Sequence, residues 1–170
     1  MRLEPIIEMP CLMTGLWKRF AVHLFEGKVT VDDMNEIEAR SERWHGKLAG
    51  RLVEMVVVLP SDARMTSEER AKMTHIIKRW ERSRTASATV ILAQGLVGAT
   101  HRAVLTGMQM VVPAPHPTKV FGATDEAVRW LAPHVRELCG VEATPEALGA
   151  AVDDLTARFA ARTSRRTKGW

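Results

Sequence analysis

The sequence predicts an α/β fold: a sandwich with a mostly parallel, four- to five-stranded sheet, helices against it and one helix appended at the C-terminal end. Three observations predict it. Apolar runs at 52–59 and 88–93 have the length of buried strands, amphipathic helical stripes separate them, and the two kinds of segment alternate along the chain. At 170 residues the chain is the size of one ordinary domain. It divides into an α/β body over 1–140, an amphipathic helix over 141–161 and a basic disordered tail over 162–170.

Phe20-Ala21-Val22-His23-Leu24-Phe25 alternates as a strand that stops at Glu26-Gly27, and it pairs with an earlier strand within 6–17. Thr30 and Asp33 form a capping-box-like start to a helix whose inward face is Met34, Ile37, Ser41, Trp44 and Leu48. The Val-rich segment 52–59 reads as a strand buried on both faces. Met73, Ile76, Ile77 and Trp80 then fall at helical spacing, in a helix that ends near Arg84-Thr85. The strand at 88–93 breaks at Gln94-Gly95, and Val97, His101, Val104, Leu105 and Met108 form another helical stripe.

The proline-rich loop 113–117 cannot be helical. A short strand at Lys119-Val120-Phe121 is followed by a helix capped by Thr124, with Val128, Leu131, Val135 and Leu138 inward and Pro133 kinking or dividing it. Thr144-Pro145-Glu146 opens the appended helix, whose stripe is Leu148, Val152, Leu155 and Phe159.

A 46% hydrophobic and 26% charged composition excludes a disordered or fibrous chain. Cys11 and Cys139 stand in no metal-ligand spacing and form no disulfide framework. The first residues lack the apolar core of a signal peptide, and the most apolar region, 85–114, is interrupted by His101 and Arg102. A cytoplasmic protein with no membrane contact is expected. The net charge of +4 invites nucleic acid as a partner without requiring it.

The passage Phe25-Glu26-Gly27-Lys28-Val29-Thr30, the strand at 55–59 and the closing Val120-Phe121-Gly122-Ala123-Thr124-Asp125-Glu126-Ala127-Val128 together resemble the STAS superfamily, of SpoIIAA-like (anti-sigma-factor-antagonist) type, in a divergent bacterial branch. The resemblance covers 20–138. It implies a non-enzymatic domain that binds a protein partner or small ligand in signalling, in some members under control of phosphorylation. The phosphorylatable members carry Asp, Ser or Thr and Gly-Leu after the strand matching 55–59. This chain instead has Pro60-Ser61-Asp62-Ala63-Arg64-Met65-Thr66-Ser67.

The candidate partner or regulatory surface is therefore Ser61, Asp62, Thr66 and Ser67. Thr66 with Glu69 fits a capping box, which explains these residues without chemistry; a phosphate on Thr66 or Ser67 would meet the repulsion of Glu68 and Glu69. A second candidate, for a small anion or nucleotide, is Gln94, Gly95, His101 and Arg102 at a glycine-bearing turn after a strand. That turn is neither a dinucleotide fingerprint nor a P-loop, and His101 on an apolar stripe reads as core. Weak nucleic-acid binding through the basic helix 64–84 and the tail ranks third, because Glu68, Glu69 and Glu81 interleave the cations. The six histidines offer no metal pair, and no catalytic residue, cofactor or oligomeric state is assigned.

Overall fold

The computed structural model describes residues 1–48, 50–61, 65–92 and 114–167. Three strands come first, β1 (Glu4–Glu8), β2 (Leu12–Trp17) and β3 (Phe20–Phe25), followed by α1 (Val31–Leu48), β4 (Leu52–Val58) and α2 (Ser67–Trp80). A 3-10 turn at Glu81–Ser83 leads into β5 (Arg84–Ile91), then β6 (Thr118–Phe121), α3 (Thr124–Cys139) and α4 (Pro145–Thr167). The described residues thus hold one six-stranded sheet, in chain order from β1 to β6, and four α-helices.

The sheet is larger and more mixed than the sequence predicts. The expected partner of β3 is β2, and a further strand, β1, pairs with β2 in turn, because 4–17 folds back at Met9–Leu12. The β1/β2 and β2/β3 ladders are antiparallel, while β3/β4, β4/β5 and β5/β6 are parallel. A two-residue turn joins β2 to β3, with Lys18 in the left-handed region at φ 51°. Its ammonium donates to the Cys139 carbonyl at 2.7 Å and pairs with Glu142, tying this turn to the end of α3.

Alternation along the strands sends side chains to two faces, each with its own apolar core. Val53, Met55, Val57, Ala86, Ala88 and Val90 pack on one side with α3 and α4. Leu12, Ala21 and Leu52 pack on the other with Met34, Ile37 and Trp44 of α1 and Ile76 of α2. Leu148, Val152, Leu155 and Phe159 of α4 are all buried in the first core, so the appended helix docks on its own domain. Gly15 of β2 permits that approach, since a Cβ there would stand 2.8 Å from Leu155 Cδ2.

Several boundaries differ from the sequence-based expectations. Thr124 is the first residue of α3 and not its cap; Ala123 occupies the cap position without a side-chain bond. Pro133 does not divide α3, which runs on to Cys139. The chain expected to be a disordered tail from 162 is helical as far as Thr167. Arg162 pairs with Glu8 at 3.0 Å and Thr163 donates to Glu26, so contacts with the sheet carry the helix onward. Ile77, expected inward, is 48% exposed, because α2 turns Ile76 to the core. The stripe expected at 97–108 lies outside the described residues.

Candidate functional site

β3 and β4 end on one side of the molecule, where α2 begins. Thr66 caps α2: its hydroxyl accepts from the Glu69 amide at 3.2 Å, and its own amide donates to the Glu69 carboxylate at 2.6 Å. The bond from the Thr66 amide, with help from Lys28 3.6 Å away, holds the Glu69 carboxyl below the ordinary range. Ser67, the first helical residue, accepts from Arg70 Nη2 at 3.1 Å, while Arg70 Nη1 donates to the Met65 carbonyl. Lys28, Pro60, Ser61 and Ser67 are each exposed. Of the first candidate surface, then, Ser61 lies beyond the end of β4, and Thr66 and Ser67 open α2. Asp62 lies outside the described residues, as do Gln94, Gly95, His101 and Arg102.

A second set of polar groups, which sequence reasoning did not assemble, lies inside the molecule on the α1/α2 face of the sheet. Glu54 of β4 is 7% exposed. Arg84 Nε stands 2.5 Å from its Oε2, Arg84 Nη2 donates to its Oε1 at 3.2 Å, and His23 Nε2 lies 3.2 Å from that same oxygen, off the line of a good hydrogen bond. Arg84 Nη1 reaches over to donate to the Ile77 carbonyl of α2 at 2.9 Å. On the far side of His23, Nδ1 shares a hydrogen bond with the Thr14 hydroxyl at 3.0 Å.

A bulge makes this possible. Ala86, Ala88 and Val90 point to the α3/α4 face, and unbroken alternation would send Arg84 there too. The β4/β5 register slips between Leu52 and Val53, so Arg84 faces Leu52 while Ala86 faces Val53. The extra residue re-aims the guanidinium at Glu54. Burial alone would raise the Glu54 pKa, but Arg84 and His23 outweigh it and hold the carboxylate ionised well below its ordinary range.

The polar stripe continues across the sheet. Ser87, the ladder neighbour of Glu54, shares hydrogen bonds with His116 Nε2 and the Thr118 hydroxyl, each at 3.2 Å. Above it, His45 of α1 is stacked between Trp44 and Trp80. Burial lowers the pKa of both His116 and His45, the latter to about 4. Trp44 is thus buried as expected, whereas Trp80 and Trp130 are only half-buried.

The order Thr14, His23, Glu54 is the hydroxyl–imidazole–carboxylate order used to activate a nucleophile. Here it cannot act on a substrate, because Thr14 is 0% exposed and both Glu54 oxygens are taken up by Arg84. Ser87 and His116 form a second hydroxyl–imidazole pair, yet the Ser87 amide is bonded to the Pro117 carbonyl and so offers no oxyanion donor. Burial raises the pKa of both Cys11 and Cys139, which keeps them as unreactive thiols. Among the described residues no group of three His, Cys, Asp or Glu is placed to hold a metal ion, and no helix is long and apolar enough to cross a membrane. No family profile, curated protein or solved structure matches the chain.

Proposed function

We propose that this chain is a non-enzymatic, STAS-like regulatory domain of the bacterial cytoplasm, and that it binds a protein partner at the carboxyl-end face of its sheet. One observation carries the reading: the Thr14, His23 and Glu54 groups, which have the chemistry of a catalyst, are enclosed between sheet and helices, whereas Ser61 beyond the end of β4 and Ser67 at the start of α2 are both exposed. The buried internal geometry then serves to hold a surface. The chain order of the parallel strands β3 to β6, with α1, α2 and α3 following β3, β4 and β6, is consistent with the family resemblance.

Thr66 serves this surface as a fixed cap and not as its switch. Its hydroxyl and amide are both committed to Glu69, so the start of α2 is held in one conformation. Nucleic acid fits less well as the partner. Lys72 and Arg79 of the basic helix are bound to Glu38, and Arg79 also to Glu42, which neutralises much of the field a phosphate backbone would need.

Site-specific photocrosslinking tests the reading. A crosslinker at Ser67 is expected to capture one protein from the source cell's lysate, and the same group at exposed Glu146 of α4 is expected not to capture it. Capture of that protein from Glu146 and not from Ser67 would place recognition on the opposite layer and overturn the assignment.

A further inference from the structure

The Trp44–His45–Trp80 stack joins α1 to α2 directly over the buried ion pair. The His45 ring lies 3.9 Å from the Trp44 ring centroid on its own helix, and 4.1 Å from that of Trp80 on α2 with the two planes only 4° apart. We propose that His45 is an acid-sensitive clasp, holding α1 and α2 closed over Glu54 and Arg84 while its ring is uncharged and releasing them when it takes up a proton.

The groups around the ring are arranged against a second cation. From the sheet, His23 of β3, Glu54 of β4 and Arg84 of β5 act on it. Glu54 is the one anion among them, and Arg84 already occupies it. From α2, Arg79 lies over the Trp80 ring at 5.4 Å and pairs with Glu38 and with Glu42, the carboxylate one turn before His45 on α1. Glu38 also holds Lys72 and approaches His75. Glu81, which follows Trp80, acts on His116 instead. Glu38, Glu42 and Glu54, the carboxylates of this seam, therefore each hold a cation before His45 is charged. An imidazolium in the stack gains no carboxylate of its own, and the half-exposed ring has water within reach outside.

Between pH 6.5 and about 4 a released ring binds a proton and a stacked ring does not. Proton binding then favours the open form, by about twentyfold on going from pH 7 to pH 5. The indole faces attract a cation and oppose this effect; burial, Arg84 and His23 act the other way. Opening the seam would uncover Trp44 and the tie from Arg84 to the Ile77 carbonyl, which anchors α2 to the sheet.

Hydrogen exchange of the full chain at pH 7 and pH 5, corrected for intrinsic chemistry, reads the opening in peptides from 41–48 and 73–80. The wild-type protein is expected to show about a twentyfold rise in opening there, with β2 to β4 unchanged. His45→Phe, which keeps an aromatic ring in the stack and cannot take a proton, is expected to show little rise. An equal rise in His45→Phe overturns the proposal. An NMR titration of the His45 ring in the wild-type protein needs no variant: a midpoint well below 6.5 supports the clasp, and a midpoint at or above 6.5 shows that the indoles hold the cation and overturns it.

Discussion

Glu54→Gln removes the only negative charge that Arg84 meets among the described residues. The substitution keeps the shape of the side chain and one accepting oxygen, so packing changes little and the experiment isolates charge. With Nε 2.5 Å from Oε2 and both side chains 9% exposed, the gross attraction at an effective dielectric of about 20 is ~7 kcal/mol. Desolvation of both ions offsets most of that in the intact pair. In the variant the cost of burying Arg84 remains and the attraction does not, so the expected loss of stability is about 3–5 kcal/mol.

Arg84→Met is expected to cost a similar amount by stranding the carboxylate. The double variant Glu54→Met/Arg84→Met buries no ion and should lie within about 2 kcal/mol of the wild type. Urea unfolding of all four proteins closes the cycle. The sign with pH follows from the depressed native pKa of Glu54. Its contribution is fully present above the unfolded value near 4.5 and is lost as pH falls from there toward the native value, so Glu54→Gln should flatten the acid limb. A Glu54→Gln protein within about 1 kcal/mol of the wild type would show that Arg84 is solvated and that the buried pair has been misread.

Three further outcomes are expected. Thr66→Ala should lower stability by ~1 kcal/mol by removing the cap of α2, while Thr66→Asp, which can also cap, should be nearly neutral in the same unfolding assay. Gly15→Ala should cost about 1–3 kcal/mol, because the new methyl would stand 2.8 Å from Leu155 Cδ2 and 3.0 Å from Leu3 Cβ. Truncation after Gly140 uncovers the core under Leu148, Val152, Leu155 and Phe159, at ~2 kcal/mol for each large side chain. That total approaches the whole stability of an ordinary domain, so circular dichroism of the truncated chain should show no cooperative melt.

Periodicity made most of the elements legible. Met34, Ile37 and Trp44 face the core as their spacing predicts, the Thr30–Asp33 box forms with bonds of 2.9 and 3.2 Å, and the Thr144 hydroxyl accepts from the Ala147 amide. The α4 stripe is legible for the same reason. The count of strands was not, because 4–17 lacks a clean alternation: Pro5 and a register shift between Pro5 and Ile7 disturb β1.

The buried network had one signal in the sequence, a glutamate set within the Val-rich run Leu52-Val53-Glu54-Met55-Val56-Val57-Val58. An ionisable residue in a strand buried on both faces requires a partner. His23 in the alternating strand before it was a second signal. The identity of the cation was not legible, since simple alternation puts Arg84 on the wrong face and only the bulge brings it to Glu54. Thr66 was legible as a cap because a capping box is local, with both partners three residues apart.

The central claim is that the buried polar stripe supports the fold while recognition takes place at the strand ends. Its most direct measurement is the affinity of the protein captured through Ser67 for three full-length variants. Glu54→Met/Arg84→Met is expected to bind within about twofold of the wild type, whereas Ser61→Arg and Ser67→Arg, each folded by circular dichroism, are expected to lose about tenfold or more. Retained binding in both serine variants, together with loss in the doubly substituted interior, would contradict the account and move function to the buried stripe.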